Sequence, residues 1–370
     1  MLIGIPKEVK NHEYRVGATP AMVRALVKHG HTVRVETQAG KQIGFPDEMY
    51  ELAQAKIVGS PLEIYQADMV IKVKEPQESE YPLLREEQIL FCFLHLAPDL
   101  KQTQQLLKNK VVGIACETIT DEQGRLPILI PMSEIAGRLS ILVGANCMQL
   151  TVGGNGTLLS GVPGVPPARA VIIGGGAAGT EAARMALGVG ADVTVIDINI
   201  NRLRELDALY GPQIKTVYST SHNIEEAVIQ ADLVIGAVLI PGKVTPKLVT
   251  RSMIKKMTPG SVLVDVSIDQ GGCFETSFPT THAHPTFVAE GIVHYCVTNM
   301  PGAYARTSTM ALTNASIKYA LTIANKGWRQ AVKENPGIRD GLNVCLGRVT
   351  NASVATDLGL DYIPPETLVS

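Results

Sequence analysis

The fold of this chain is indicated most clearly by the segment Val171-Ile172-Ile173-Gly174-Gly175-Gly176-Ala177-Ala178-Gly179. Its apolar residues predict a buried strand that runs into a Gly-x-Gly-x-x-Gly turn, and a helical pattern follows over residues 180–190. A second apolar strand, residues 192–196, then ends in Asp197. Strand, glycine turn, helix, second strand and terminal acid come in the order that a dinucleotide-binding unit requires.

Each glycine of this turn has a physical role. Gly174 permits the tight turn, Gly176 lets the backbone approach a pyrophosphate, and Gly179 lets the helix pack closely against the strand. The helix N-terminus then faces the phosphates. Asp197 lies 23 residues after Gly174, where a carboxylate can hydrogen-bond a ribose hydroxyl and repels a 2′-phosphate. The sequence therefore predicts NAD rather than NADP, and a tight turn without a ligand is the alternative.

Length and composition restrict the class of protein. The chain has 370 residues, more than one hydrophobic core usually supports, so two domains are expected. Apolar residues make up 45% and aromatic residues only 5%, which is typical of parallel α/β sheets. The net charge of -2 without a basic run argues against nucleic acid as a partner. Without a signal pattern or a membrane-length apolar stretch, the protein is expected to be cytoplasmic and to have no membrane partner. The six scattered cysteines are expected to be buried free thiols.

The chain shows two rounds of strand–helix alternation. Strands of the first round are expected at residues 2–5, 32–36, 56–58, 67–73, 88–94 and 111–117, with helices at 20–29, 46–55 and 100–109. Strands of the second round are expected at 170–173, 192–196, 215–218, 232–238, 261–266 and 291–297, as in a six-stranded Rossmann sheet. The predicted fold class is therefore α/β, with two Rossmann-like domains of parallel sheets and a ligand cleft between them.

Two long helical patterns, residues 133–150 and 307–328, are expected to link the domains. The Gly- and Pro-rich residues 153–167 predict a loop or hairpin. The C-terminal section shows little sheet of its own and is expected to return to the first domain. We therefore predict a discontinuous substrate domain of residues 1–128 and 306–370, and an inserted NAD-binding domain of residues 129–305.

Four polar residues follow predicted strands. Lys74 and His95 follow two strands of the first round, Arg15 lies in the loop after its first strand, and Asp269 follows a strand of the second round. Ligands of open α/β sheets bind outside the carboxyl ends of strands, so these side chains are expected to converge. A guanidinium, an ammonium and two titrating groups suit a small 2-oxo acid.

Each of these four residues has an alternative interpretation without a function. Arg15 suits an ordinary surface arginine, and Lys74 suits a solvated pair with Glu75. His95 lies between two leucines, as a core histidine does, and Asp269 precedes two glycines, as a turn cap does.

Further segments form a specific set. They are Ile3-Gly4-Ile5-Pro6-Lys7-Glu8, Asn11-His12-Glu13-Tyr14-Arg15-Val16, Lys72-Val73-Lys74-Glu75-Pro76, Phe93-Leu94-His95-Leu96-Ala97, Pro131-Met132-Ser133-Glu134-Ile135-Ala136-Gly137-Arg138, Gly161-Val162-Pro163-Gly164-Val165-Pro166-Pro167-Ala168, Ile268-Asp269-Gln270-Gly271-Gly272 and Asn299-Met300-Pro301-Gly302. With these segments the chain resembles the bacterial alanine dehydrogenases over essentially its whole length.

The resemblance implies an enzyme and a site. It implies NAD-dependent oxidative deamination of L-alanine to pyruvate and ammonium, the reverse reductive amination, and a homohexamer. Arg15 and Lys74 are then expected to hold the substrate, while His95 and Asp269 carry acid–base chemistry. Together with the glycine turn, the expected cofactor contacts are Ser133, Gly174, Gly176, Ala177, Ala178, Gly179, Asp197, Arg202, Ser219, Val238, Leu239, Val266, Ser267, Ile268, Asp269, Val297, Thr298, Asn299 and Met300.

The chain departs from the family pattern in three places. Phe278 stands where relatives often carry a polar or basic residue, and Tyr304-Ala305 replaces a more usual Val-Pro. Thr322 and Lys326 stand in the helix where some relatives place metal ligands, so no metal is predicted there. The pair His282-Ala-His284 lacks further ligands at useful spacing and is also not predicted to bind a metal.

Two other functions fit part of the pattern. The NAD-binding component of proton-translocating transhydrogenase shares both domains, but His95 and Asp269 argue against it because hydride relay needs no substrate acid–base pair. A non-catalytic NAD sensor suits the Rossmann half and leaves the four polar residues unexplained.

Overall fold

The structure, a computed structural model, describes residues 1–239 and 244–369. Its contacts divide the chain into two compact units. The first unit comprises Met1–Met132 and Tyr304–Ser370, and the second unit comprises Ser133–Ala303. In the described residues each unit carries one sheet with helices, which confirms the predicted α/β class with two domains.

Strands and helices are numbered separately in chain order. The strands are β1 Leu2–Ile5, β2 Thr32–Glu36, β3 Lys56–Val58, β4 Met69–Ile71, β5 Ile89–Cys92, β6 Val112–Ala115, β7 Arg169–Ile173, β8 Asp192–Asp197, β9 Ile214–Tyr218, β10 Leu233–Gly236, β11 Val262–Asp265, β12 Thr286–Ala289, β13 Ile292–Tyr295, β14 Leu342–Cys345 and β15 Arg348–Val349. The helices are α1 Pro20–Lys28, α2 Asp47–Leu52, α3 Pro61–Tyr65, α4 Leu100–Lys108, α5 Ile130–Cys147, α6 Ala177–Gly188, α7 Ile200–Tyr210, α8 Ser221–Ile229, α9 Arg251–Ile254, α10 Ala305–Lys326, α11 Trp328–Glu334, α12 Pro336–Gly341 and α13 Ala352–Leu358.

The sheet of the first unit is mixed. Its described strands follow the order β15-β14-β6-β5-β4-β1-β2-β3, in which β1 to β6 run parallel and β14 runs antiparallel to β6 and β15. The C-terminal section thus adds two antiparallel strands to a sheet for which the sequence pattern predicts parallel strands. Leu346 and Gly347, both at positive φ, form the two-residue turn of this hairpin.

The sheet of the second unit follows the order β12-β13-β11-β10-β7-β8-β9 in the described residues. All pairs are parallel except β12 with β13. The expected six strands are therefore seven, because the four residues of β12 were not predicted as a strand. Glu290 and Gly291, both at positive φ, form the tight turn that folds β12 back onto β13.

Some helices differ from those that the sequence pattern predicts. The short helix α3 was missed, although Ser60 caps its first turn and Pro61 occupies the first helical position. The long helix expected at residues 307–328 ends at Lys326, because Gly327 at φ +74° stops α10 before α11 begins. Helix α5 begins at Ile130, three residues earlier than expected.

The core of the second unit covers both faces of its sheet. Consecutive residues of β7, such as Ile172 and Ile173, are buried in separate apolar clusters on opposite faces of the sheet. Burial on both faces explains why the strands are continuous apolar runs in the sequence. No helix in the described ranges combines the length and apolar character needed to cross a membrane.

Candidate functional site

The glycine turn of the second unit has the geometry that its sequence predicts. Gly174 adopts φ +100°, which side-chain-bearing residues rarely adopt. A Cβ atom on Gly179 would lie 1.8 Å from the carbonyl oxygen of Gly174, so only glycine lets α6 approach β7 this closely. A Cβ atom on Gly176 would meet no heavy atom within 4 Å. Gly176 is the N-cap of α6. The lack of a side chain therefore leaves open space at the helix N-terminus, where an anion binds favourably.

Asp197 and Arg202 hold the peptide groups of Gly175 from both sides. The carboxylate of Asp197 accepts the Gly175 N–H at 2.6 Å and the Asn199 N–H at 2.7 Å. The Nε atom of Arg202 donates to the Gly175 carbonyl oxygen at 2.6 Å, and its Nη2 atom donates to Thr180 at 2.6 Å. The turn is thus preformed, with a carboxylate beside it.

The other expected cofactor contacts of the second unit mostly follow strand ends. A hydrogen bond joins the segments that follow β10 and β11, in which the Val238 N–H donates to the Ser267 hydroxyl at 2.9 Å. Parallel strands end at the same edge of a sheet, so these residues share the edge that carries the glycine turn. Ser219 follows β9, Val238 and Leu239 follow β10, Val266, Ser267 and Ile268 follow β11, Val297, Thr298, Asn299 and Met300 follow β13, and Ser133 lies in α5.

Asp269 lies at this edge in a 3₁₀ helix, Val266–Gln270, and is exposed. Its carboxylate accepts the Asn299 N–H at 3.3 and 3.4 Å, and Asn299 itself adopts φ +57°. The N-cap of the 3₁₀ helix is Asp265 instead, whose side chain accepts the Ser267 N–H. Asp269 therefore bridges two loops rather than capping a turn.

Arg15 lies in the first unit and is buried, with only 3% of its surface exposed. The two carboxylate oxygens of Glu13 accept its Nε atom at 2.7 Å and its Nη2 atom at 2.6 Å. Its Nη1 atom lies 3.4 Å from the sulfur of Met132. This bidentate pair fixes the plane of the guanidinium. Arg15 is therefore not an ordinary surface arginine, whose side chain is exposed to water.

Lys74 follows β4, and its side chain is 12% exposed. Its Nζ atom lies 3.7 Å from Glu75, which Lys10 also contacts at 2.5 Å. Burial acts to raise the pKa of Glu75, but the charges of Lys74 and Lys10 outweigh it and lower this pKa to about 2. The pair is therefore largely desolvated rather than a solvated surface pair.

A buried ion cluster supports the strand end that carries Lys74. The ammonium of Lys72 is fully buried between Glu8 at 3.3 Å and Glu80 at 3.0 Å. Glu8 also accepts the Val73 N–H at 2.6 Å. Burial raises the pKa of Glu8, while Lys72 and the Val73 N–H act in the opposite direction. The backbone before Lys74 is thus held by the Glu8 side chain, which lies in the loop after β1.

His95 follows β5 and adopts φ +48°, a conformation uncommon for residues with side chains. Its imidazole is 45% exposed and stacks on Phe93 at a centroid distance of 5.8 Å. Glu117, which follows β6, accepts the His95 N–H at 2.7 Å and lies 4.0 Å from Nδ1. His95 is therefore not a core histidine, and its strained backbone is held by a carboxylate.

These residues of the first unit occupy one edge. Strands β1, β4, β5 and β6 are neighbours in the sheet and run parallel. Arg15, Lys74, His95 and Glu117 all follow their carboxyl ends. This edge offers a guanidinium, an ammonium and an imidazole to a small anionic ligand.

Three acids that hold the expected site residues were not singled out in the sequence. They are Glu13 beside Arg15, Glu117 beside His95 and Asp265 below the loop of Asp269. Asp265 ends the apolar strand β11, and Glu117 lies two residues after the apolar strand β6. An acid in such surroundings is the sequence signal that indicates both residues.

The three departures noted in the sequence have different surroundings. Phe278 is 51% exposed and stacks on Phe287 at 3.8 Å, which stacks in turn on the buried His294. Tyr304 directly precedes α10 and is 49% exposed. Thr322 bonds to its own helix through the Lys318 carbonyl oxygen, and Lys326 pairs with Glu334. The expectation of no metal stays a prediction.

The six cysteines are all free and buried.

Family models match both halves of the chain. The model described as "Alanine dehydrogenase/PNT, N-terminal domain" matches residues 4–136, and the model "Alanine dehydrogenase/PNT, C-terminal domain" matches residues 140–352. The chain belongs to the alanine dehydrogenase/PNT family. The resemblance inferred from the sequence segments is thereby confirmed.

Individual members of the alanine dehydrogenase/PNT family match over nearly full length. An alanine dehydrogenase of Halomonas elongata is 52% identical over 370 residues, which are 100% of both chains. A solved structure of an L-alanine dehydrogenase superposes with a TM-score of 0.94 at 48% identity, covering 97% of this chain and 99% of the other. A transhydrogenase structure from Sinorhizobium meliloti shares the fold, with a TM-score of 0.80 at 23% identity and coverage of 95% and 100%.

Proposed function

We propose that this protein is an L-alanine dehydrogenase. It catalyses the reversible NAD-dependent oxidative deamination of L-alanine to pyruvate and ammonium. The observation that carries the proposal is the edge of the first unit, where Arg15, Lys74 and His95 follow neighbouring parallel strands. The full-length identity of 52% with a curated alanine dehydrogenase supports the same reaction.

In this proposal one unit binds the substrate and the other binds NAD. Residues 1–128 and 306–370 form the substrate domain, and residues 129–305 form the NAD-binding domain. The candidate substrate groups Arg15, Lys74 and His95 lie in the first unit, whereas the glycine turn and Asp269 lie in the second. Hydride transfer requires the α-carbon of alanine to meet the nicotinamide, so both sets of residues serve one reaction.

The glycine turn fits NAD. Space beside Gly176 and the N-terminus of α6 suit the pyrophosphate, and Asp197 suits a ribose hydroxyl rather than a 2′-phosphate. When bound, NAD accepts the hydride from alanine. The residues that hold it are the expected contacts, to which Ser219, Val238, Asn299 and the loop after β11 belong.

Arg15 and Lys74 hold the substrate. The guanidinium of Arg15 binds the carboxylate of alanine or pyruvate, and Glu13 fixes its plane by the bidentate contact. Lys74 stabilises the negative charge that develops on the substrate oxygen. Because its ammonium is largely buried beside Glu75, water screens this charge less than at an exposed site.

His95 and Asp269 move protons. The amine of alanine must lose a proton, and water must lose one as it attacks the iminium. The carbinolamine that forms then breaks its C–N bond, and the nitrogen leaves as ammonia. Asp269 stabilises the iminium charge and takes the proton from water, since its carboxylate is exposed at the strand ends of the second unit. His95 exchanges protons at the substrate oxygen through its exposed imidazole.

The proposed assembly is a cytoplasmic homohexamer without nucleic-acid or membrane partners. Exposed apolar side chains of the second unit, including Leu150 at 75% and Leu158 at 60%, support contacts between copies. Light scattering of the purified protein tests the hexamer, and a monomer at micromolar concentration would contradict it.

One assay tests the reaction. NADH is mixed with pyruvate and ammonium, each component is omitted in turn, and the nicotinamide absorbance is followed. Oxidation is expected only with both substrates, because the hydride acceptor is the iminium that they form together. Oxidation with pyruvate alone would indicate a 2-hydroxy acid dehydrogenase. NADH binding without any turnover would contradict the proposal and favour a non-catalytic NAD-binding protein.

A further inference from the structure

The carboxylate of Asp265 lies at the base of the loop that carries Asp269. Asp265 is the last residue of β11 and is completely buried. It precedes Asp269 by four residues and accepts the Ser267 N–H at 3.1 Å at the start of the intervening 3₁₀ helix. An acid at the end of an apolar strand is costly to bury, so its contacts need an explanation.

The same carboxylate also holds the far side of the loop. It accepts the Cys273 N–H at 3.0 Å, the Phe274 N–H at 3.5 Å and the Ser277 hydroxyl at 2.6 Å. Burial raises the pKa of Asp265, and the hydrogen bonds from these donors act in the opposite direction. One buried group therefore ties residues on both sides of Asp269 to the sheet.

The loop is shaped to approach this carboxylate. Gly272 adopts φ +76°, and a Cβ atom on it would lie 2.6 Å from Asp265 Oδ2. On the outer side, Lys247 Nζ donates to the carbonyl oxygens of Gly271 at 2.5 Å and Gly272 at 3.0 Å. The turn after Asp269 is thus fixed between a buried anion and an external cation.

We propose that Asp265 is a positioning residue for Asp269 in the dehydrogenase reaction. This inference rests on the acid–base role of Asp269 in the proposed function. Asp265 touches neither substrate nor cofactor; it sets the position of the loop, and through the loop the position of the Asp269 carboxylate. A displacement of about 1 Å at a reacting group costs roughly a hundredfold in rate.

The test is a double-mutant cycle of Asp265→Asn and Asp269→Asn. Asparagine at 265 keeps one acceptor oxygen and turns an N–H₂ group toward backbone N–H donors, so the loop must shift. We expect kcat for reductive amination to fall roughly a hundredfold in Asp265→Asn. In the Asp269→Asn background the same substitution should change kcat by less than about threefold, since no carboxylate is left to position.

A matched control removes the same charge at the opposite edge of the sheet. Asp232 precedes β10 and accepts the Arg169 N–H at 2.9 Å. Asp232→Asn should keep kcat within about twofold of the wild type. If Asp265→Asn does not fold, Ser277→Ala serves as the second variant, because it removes one donor and keeps the carboxylate. It should lower kcat roughly threefold, again without effect in Asp269→Asn.

The outcomes separate the two proposals. Normal kcat in Asp269→Asn would contradict the proposed role of Asp269 and overturn this inference with it. A low kcat in Asp269→Asn together with an additive loss in the double variant would overturn the inference alone, because a general loss of structure adds to any other loss. Normal kcat in Asp265→Asn, or in Ser277→Ala where Asp265→Asn is unfolded, would also overturn it.

Discussion

The two strand edges that carry candidate site residues, one in each unit, are built by different means. At the edge of the second unit, the glycine turn is shaped by the backbone, since Gly174 needs its positive φ and Gly179 needs to lack a Cβ atom. At the edge of the first unit, Arg15 and His95 are held by the carboxylates of Glu13 and Glu117. A backbone requirement is specific to one residue type and therefore visible in a sequence, whereas the hydrogen bond between His95 and Glu117 joins residues 22 positions apart, which only the fold brings together.

The largest expected effect separates the edges by function. His95→Ala should lower turnover by roughly a hundredfold or more, the usual scale for a positioned proton-transfer group, and should leave NADH affinity unchanged. Steady-state kinetics and NADH fluorescence titration measure the two quantities. The control is His222→Ala, whose side chain is 84% exposed in α8. A parallel loss of NADH affinity would contradict the assignment of His95 to the substrate and not to the cofactor.

A smaller effect tests whether the backbone builds the second edge. Gly179→Ala places a Cβ atom 1.8 Å from the Gly174 carbonyl oxygen and should destabilise the protein by about 1–3 kcal/mol through overpacking. NADH affinity should fall with it. Gly188→Ala in the same helix meets nothing within 4 Å and is the control. Denaturant unfolding of both variants checks this, and equal stabilities would show that close packing at Gly179 is not required.

Cofactor choice should respond to one carboxylate. Asp197→Ser removes the charge that repels a 2′-phosphate, and the wild-type preference for NAD of at least about tenfold should shrink. Asp192→Ser is the control, since Asp192 begins the same strand and pairs with Lys215 at the opposite edge. The ratio of kcat/KM for NADH and NADPH reports the result. Comparable wild-type efficiency with both cofactors would remove Asp197 from this role.

The smallest expected effect concerns pH and the first edge. The pKa of Glu75 is lowered to about 2 from 4.5, so its charged form stabilises the fold above pH 4.5 and this stabilisation is lost as pH falls toward 2. Glu75→Gln should lower the free energy of unfolding by on the order of 1 kcal/mol at pH 7 and by less at low pH. This value allows for the screening of the exposed Lys10 by water.

The measurement is the difference in unfolding free energy between wild type and Glu75→Gln across this pH range. Glu78→Gln is the control, because its side chain is 73% exposed beside Lys101. A difference that does not change between pH 7 and pH 3 would show that the Glu75 carboxylate gains nothing from Lys74 and Lys10.

Part of the fold was predictable because its signals are local. The bounds of β1, β2 and β3 agree with the sequence pattern, and α1 and α4 agree within one residue at their ends. The misses are short or turn-defined elements. Strand β12 depends on a two-residue turn, and α3 is a five-residue helix, so neither is long enough to show a periodic pattern.

The α/β class, the strand–turn–helix–strand arrangement around Gly174 and the candidate residues Arg15, Lys74, His95 and Asp269 follow from the sequence alone. Glycine turns and apolar periodicity are properties of neighbouring residues, so they are present in the sequence before folding. Which of these side chains are buried, and which groups hold them, depends on the tertiary structure. Glu117 lies 22 residues from His95, and Glu8 lies 65 residues from Val73. Glu117 and Glu8 affect the site because they are largely buried and close to these groups, and both conditions arise only once the strands have paired.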